Sequence, residues 1–250
     1  MDNKAQLKYQ LRTLKLSGIL NNLDLRLMEA KQNQLAYSEF IAMILNDEIE
    51  LRNMRKLNRL ISNAGIGTEK ILESFDFSFN PKLNVKEIRE LGTCKYIEKG
   101  ENVFFIGPTG TGKTHLAKAL CHQACRKYLS VAFFSFHHFF SEFHRNDLKS
   151  QAHKLIKRLS KIDLLVIDDF GFRKINQQDA EFLYAIVDNR YHMKSIILTS
   201  NRAITDWASV FPDPLIANAI LDRLAHNAHQ ITIKGESYRK KFAPKLKTLD

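Results

Sequence analysis

The chain has 250 residues, 44% of them hydrophobic and 26% charged, with only 10 glycines and 5 prolines. That balance excludes a disordered or collagen-like polymer and fits one large α/β domain with a small accessory piece. A net charge of +11, from 38 Lys and Arg against 27 Asp and Glu, suits a polyanionic partner such as nucleic acid, or a plain basic surface.

Cys94, Cys121 and Cys125 form no CxxC pair. Three is an odd count, so buried small hydrophobes are expected and not a disulfide framework or zinc site. The start, MDNKAQLKYQ, carries no apolar signal core. No run approaches the ~18 apolar residues of a spanning helix. A cytoplasmic protein with no membrane partner is expected.

Residues 1–62 read as helices: one glycine, Gly18, no proline, and apolar stripes at Leu7, Leu11, Leu14 and at Phe40, Ile41, Ile44, Leu45. The mixed-charge stretch Asp47 to Arg59 reads as a solvated helix face. SNAGIGTEK, residues 62–70, is the first cluster of breakers, so a helical domain over 1–62 and a second domain over 63–250 are expected. Phe75, Phe77 and Phe79 alternate with polar residues, which predicts an extended segment.

From residue 101 short apolar runs alternate with longer amphipathic ones. NVFFIG, VAFFSF, DLLVID, SIILTS and ITI (231–233) are the strand candidates, with helices such as Leu116 to Tyr128 and Ala180 to His192 between them. This alternation predicts a mainly parallel sheet covered on both faces.

The first strand runs into GPTGTGKT, a match to G-x-x-x-x-G-K-[ST]. Gly107, Pro108, Thr109, Gly110, Thr111, Gly112, Lys113, Thr114 and His115 are therefore candidate nucleotide-binding residues. Backbone N–H groups and a helix N-terminus would cradle phosphates. Lys113 would reach the β- and γ-phosphates, and the Thr114 hydroxyl would bind Mg²⁺. LLVIDDFG supplies the carboxylates: Asp168 as metal partner, Asp169 to polarise water, with helix capping as the bland alternative. Asn201, ending IILTSN, is a candidate for orienting that water or an ordinary turn starter. Arg223, in AILDRLAHN, is a candidate for stabilising transition-state charge or a surface ion pair.

GPTGTGKTHLAKAL, LLVIDDFG, IILTSN and ILDRLAHNAHQITIKGESYR, in that order, resemble the IstB family of insertion-sequence helper ATPases, kin to DnaC helicase loaders in the AAA+ class. The N-terminal LKLSGIL and YSEFIAMILNDEIELR extend the resemblance over nearly the whole chain. The resemblance implies an α/β P-loop AAA+ three-layer fold: a five-stranded parallel sheet with the phosphate-loop strand central, and a small all-helical N-terminal domain before it. With little sequence following Arg239, no full C-terminal lid is expected. It further implies ATP and Mg²⁺ as cofactors, Walker A over 107–114 and Walker B at Asp168 and Asp169. Asn201 would be the first sensor, Arg223 an arginine finger reaching a neighbour's ATP, and Arg239 a second sensor. It implies a homo-oligomer with ATP sites at subunit interfaces, assembling on duplex DNA and serving the transposase of the same element. The N-terminal domain would take part in DNA or client binding. A loader of a replicative helicase is the alternative; a small-molecule kinase would need an acceptor pocket and a closing lid, and the sequence offers no arginine-rich candidate for that lid. Two basic stretches, His144–Lys161 and Lys234–Lys247, could track DNA phosphates or form solvated faces. In FSFHHFFSEFH, residues 134–144, the phenylalanines are expected in the core, with no ligand set for a metal.

Overall fold

A computed structural model describes residues 3–145 and 149–241. The chain divides into two compact units, Met1–Arg59 and Leu60–Asp250. The division falls three residues ahead of the break expected after residue 62.

The first unit contains α1 (Asn3–Thr13), α2 (Ser17–Gln32) and most of α3 (Tyr37–Ala64). Its small core is Leu11, Ile19 and Leu23, with Leu16, Leu20 and Ile44 packed around them. The leucine stripe thus splits: Leu11 is buried while Leu7 and Leu14 are exposed, as are Ile41 and Leu45. Gly18 is where α2 crosses α3, since a β-carbon there would lie 2.5 Å from the Asp47 carbonyl oxygen. Its N–H donates to Glu48 Oε2 at 2.6 Å. Arg26 makes a two-pronged pair with Asp47, at 2.9 and 2.7 Å. The charged stretch is therefore not wholly a solvated face. Asp47 and Glu48 are buried because the crossing supplies them with donors, and the exposed face begins at Ile49.

The segment 71–79 is not extended. It forms two 3₁₀ turns, Leu72–Ser74 and Phe77–Phe79. Asp76 accepts from the N–H groups of Ser78 and Phe79 and from the Ser78 hydroxyl, which favours a turn over a strand. Then come α4 (Val85–Gly92), capped by Asn84, and the short α5 (Lys95–Glu98). The α/β alternation follows: β1 (Asn102–Ile106), α6 (Lys113–Arg126), β2 (Val131–Ser135), α7 (Phe136–Arg145), α8 (Lys149–Lys161) and β3 (Leu164–Asp168). It ends with α9 (Gln177–Arg190), β4 (Ser195–Ser200), α10 (Pro214–Ala225), β5 (Ala228–Thr232) and α11 (Tyr238–Lys241). β5 begins ahead of the ITI expected for it, since its early residues pair alongside Asn102 to Phe104 of β1.

Among the described residues the strands form one five-stranded parallel sheet, ordered β2-β3-β4-β1-β5. β1 is interior, between β4 and β5, but β4 occupies the middle. Strand alternation sends Phe104, Leu165, Ile167, Ile196 and Leu198 into one core with residues of α7, α8, α9 and α10. The intervening Val103, Phe105, Leu164, Val166 and Ile197 are equally buried and face the other way, where α6 packs against four of the strands. Phe136, Phe139 and Phe140 lie in the first core, as the phenylalanine-rich stretch predicts. The three thiols are free and buried, also as expected.

Candidate functional site

The site grows from the carboxyl ends of β1, β3 and β4, neighbours in the sheet. β1 ends at Ile106, the phosphate loop covers 107–112, and α6 begins at Lys113 with a left-handed Gly112 before it. The Lys113 ammonium donates to the carbonyls of Gly107 and Pro108, both at 2.8 Å. Desolvation holds its pKa below the usual lysine value, opposed by the charges of Asp169 and Asp168. Thr111 braces the loop by donating to the Pro108 carbonyl at 2.9 Å.

β3 ends in Asp168. Its Oδ1 accepts from the Thr114 hydroxyl at 2.9 Å and from the Thr199 hydroxyl at 2.5 Å. Asp169 turns out of the strand with φ of 57°, a left-handed conformation that only a few non-glycine residues adopt. Desolvation first, and then the Asp168 charge, raise its pKa above the ordinary carboxylate value, against Lys113 and Arg239.

A cavity of about 320 Å³ lies over the loop. Thr109 to His115 and Asp169 form its floor, and Arg239 reaches it from the C-terminal side. Its far wall was not foreseen from sequence: Lys70, Ser74, Phe75, Asp76, Phe79, Asn80 and Tyr238. The two 3₁₀ turns set this wall. His115 Nε2 lies 3.0 Å from the Ile71 carbonyl, and the Phe75 ring meets His115 edge-on. Phe79 meets Tyr238 edge-on, and Asn80 donates to the Lys234 carbonyl at 2.7 Å. The alternating phenylalanines and the Asp-x-Ser cap were the only sequence signal for it.

Two further candidates lie elsewhere. Asn201 is exposed and does not line the cavity. Arg223, on α10, bonds to Asp188 of α9 at 3.0 Å and to the Ala219 carbonyl at 2.9 Å, with its guanidinium over the Tyr184 ring. It is outside its own chain's cavity.

Of the basic stretches, α8 turns Leu155 and Leu159 inward and exposes His153, Lys154, Lys157, Arg158 and Lys161 on the other side. Lys234, Arg239, Lys240 and Lys241 are exposed too. Residues 146–148 and 242–247 of these stretches lie outside the described residues. No helix among the described residues is long and apolar enough to cross a membrane.

A phosphate loop after β1, an acidic pair ending β3, a polar end to β4 and this strand order define a P-loop AAA+ fold. Solved structures agree. The DnaC helicase loader superposes with a TM-score of 0.51 at 25% identity, covering 60% of this chain and 87% of that one. AMPPCP-bound DnaA from Aquifex aeolicus gives 0.57 at 22% identity over 73% and 58%, a likeness of fold alone. The chain belongs to the family described as IstB-like ATP binding proteins, whose profile matches residues 9–245. It is 37% identical to an insertion-sequence ATP-binding protein of Mycobacterium tuberculosis, over 95% of each chain. It is 35% identical to the IS21 ATP-binding protein of Pseudomonas aeruginosa, over 94% of this chain and 89% of that one.

Proposed function

We propose that the chain binds ATP with Mg²⁺ in this cavity and hydrolyses it to ADP and phosphate. The cycle times its assembly on duplex DNA on behalf of the transposase of its own insertion sequence. The observation that carries the ATPase reading is the convergence on Asp168. Thr114, in the first turn of α6, and Thr199 of β4 both bond to its Oδ1, and Thr114 and Asp169 line the cavity.

Residue types fit the roles. Thr114 and Asp168 offer the hard oxygens that Mg²⁺ prefers, and the bound ion would offset phosphate charge. Lys113 would hold the β- and γ-phosphates, and Asp169 would accept a proton from the attacking water. A carboxylate held above its ordinary pKa is better matched to that task than an unshifted one. Arg239 would touch nucleotide from the C-terminal side, and Arg223 would act on a neighbour's ATP in a homo-oligomer. The wall built from 70–80 would meet the base and sugar.

The exposed basic side of α8 supports a DNA contact by phosphate neutralisation, which is sequence-tolerant and salt-sensitive. The helical N-terminal unit would bind DNA or the client. The insertion-sequence relatives match over nearly their full lengths, whereas DnaC covers 60% of this chain, which favours a transposase over a helicase as client.

The test is the ATPase rate with and without duplex DNA, alongside Lys113→Ala. Stimulation by DNA, and loss of ATP binding in the variant, are expected. A wild-type protein that neither turns over ATP nor is retained on DNA by it would sink the reading.

A further inference from the structure

The Asp168 carboxylate and the Asp169 main-chain N–H are both held by one hydroxyl that lies outside LLVIDDFG. We propose that Thr199 is the positioning residue for hydrolysis, aligning Asp168 and Asp169 through one fixed chain of hydrogen bonds; this rests on the ATPase reading above.

The direction of that chain follows from what each group can do. The Asp169 N–H is only a donor, and it points at Thr199 Oγ1 at 2.9 Å. Thr199 must therefore accept there. A hydroxyl has one proton, and the Asp168 Oδ1 at 2.5 Å takes it. The same oxygen takes the Thr114 proton at 2.9 Å. Polarity thus runs from the Asp169 amide through Thr199 to Asp168, and from Thr114 to Asp168. Asp168 receives two donors on one oxygen.

The main chain completes the brace. The Phe170 N–H donates to the Thr199 carbonyl at 2.7 Å, and the Ser200 hydroxyl donates to the Phe170 carbonyl at 2.7 Å. β3 and β4 are paired in parallel up to Ile167 and Leu198, so Asp168 and Thr199 are the next residues in register. Thr199 is fully buried, as is Ser200. Asp169 leaves this brace in its left-handed conformation and lines the cavity, whereas Asn201, the polar side chain two residues on, is exposed and outside it. The hydroxyl of Thr199, and not the amide of Asn201, is thus the β4 group tied to both acids.

The test compares Thr199→Val, which keeps the branched shape and removes the hydroxyl, with Thr199→Ser, which keeps it. Loss of an outer partner of this kind typically costs roughly 10- to 100-fold. Thr199→Val should lose kcat by that factor with KM for ATP unchanged, and Thr199→Ser should restore most of it. Amide hydrogen exchange gives a second readout. In Thr199→Val the Asp169 amide should exchange faster, while the Phe170 amide, bonded to main chain, should not.

Wild-type turnover in Thr199→Val would overturn the role of Thr199 alone. Equal loss in the Ser variant, or loss of protection at both amides, would overturn it in favour of simple packing. Absence of turnover in the wild-type protein would overturn the ATPase reading and the role of Thr199 together.

Discussion

Ser237 lies against Gly110 so closely that a β-carbon on residue 110 would stand 2.0 Å from Ser237 Oγ. Gly110 also has φ of 85°, and the Tyr238 N–H donates to its carbonyl at 3.0 Å. The GESYR stretch therefore shapes the phosphate loop directly. Gly110→Ala should lose tight ATP binding through the clash and the strained φ, the latter alone costing on the order of 1 kcal/mol. Ser237→Gly should bind ATP nearly as well as wild type and recover part of the affinity in the double variant. Nucleotide titration checks this, and unaltered affinity in Gly110→Ala would refute it.

Arg223 tests whether sites are shared between subunits. Arg223→Ala should keep ATP binding and lose turnover. Lys113→Ala should lose both. If the arginine acts on a neighbour's nucleotide, mixing the two inactive proteins should restore part of the ATPase rate. A full rate in Arg223→Ala alone would leave it the structural partner of Asp188 and Tyr184.

Arg190 is a structural cation. Buried at the end of α9, it donates to the carbonyls of Leu159, Ile162, Asp163 and Ser195, which ties the approaches to β3 and β4 together. Stranding buried carbonyls costs about 1–3 kcal/mol each. Arg190→Met should lower the urea midpoint by an amount equivalent to at least about 3 kcal/mol. Arg190→Lys should recover little, because an ammonium cannot span the same fork of acceptors. A near-normal midpoint in either variant would contradict this account.

Glu48 makes the first unit sensitive to acid. Burial raises its pKa, but Arg52 and the N–H groups of Gly18 and Ile19 outweigh burial, and the net shift is downward from 4.5. A carboxylate with a depressed folded pKa adds stability above its unfolded value and loses it as pH falls through the folded one. The stability gap between wild type and Glu48→Gln should therefore be full at neutral pH and shrink below about 4.5. Melting curves of both proteins across that range decide it, and a gap that grows in acid would show the sign is wrong.

Cys94 and Cys125 have pKa values pushed up to about 11 by burial, and that of Cys121 is raised as well. Thiolate is the reactive form, so all three should react slowly with thiol reagents in the folded protein and fast in denaturant. Rapid labelling of any one in the native state would mean that the structure covering it opens readily.

The phosphate loop and the two aspartates could be read directly because their chemistry is local. Gly107 to Thr114 encode a turn and a helix start in consecutive residues, and a strand that ends in two acids delivers them to the sheet edge wherever it lies. The five strands announced themselves through short branched runs between helices. The segment 71–79 did not, because Asp76 accepts from the amides of Ser78 and Phe79 and overrides the alternation of Phe75, Phe77 and Phe79. Glu48 looked like surface charge until α2 crossed it at Gly18.

Which polar residue of TSN serves the acids was not written in TSN. It depends on β3 lying beside β4, which brings residues 168 and 199 into register across 31 positions of chain. A motif specifies the bonds within its own turn. The register between strands, and with it the brace on Asp168 and Asp169, arises only when the whole sheet buries its two faces together.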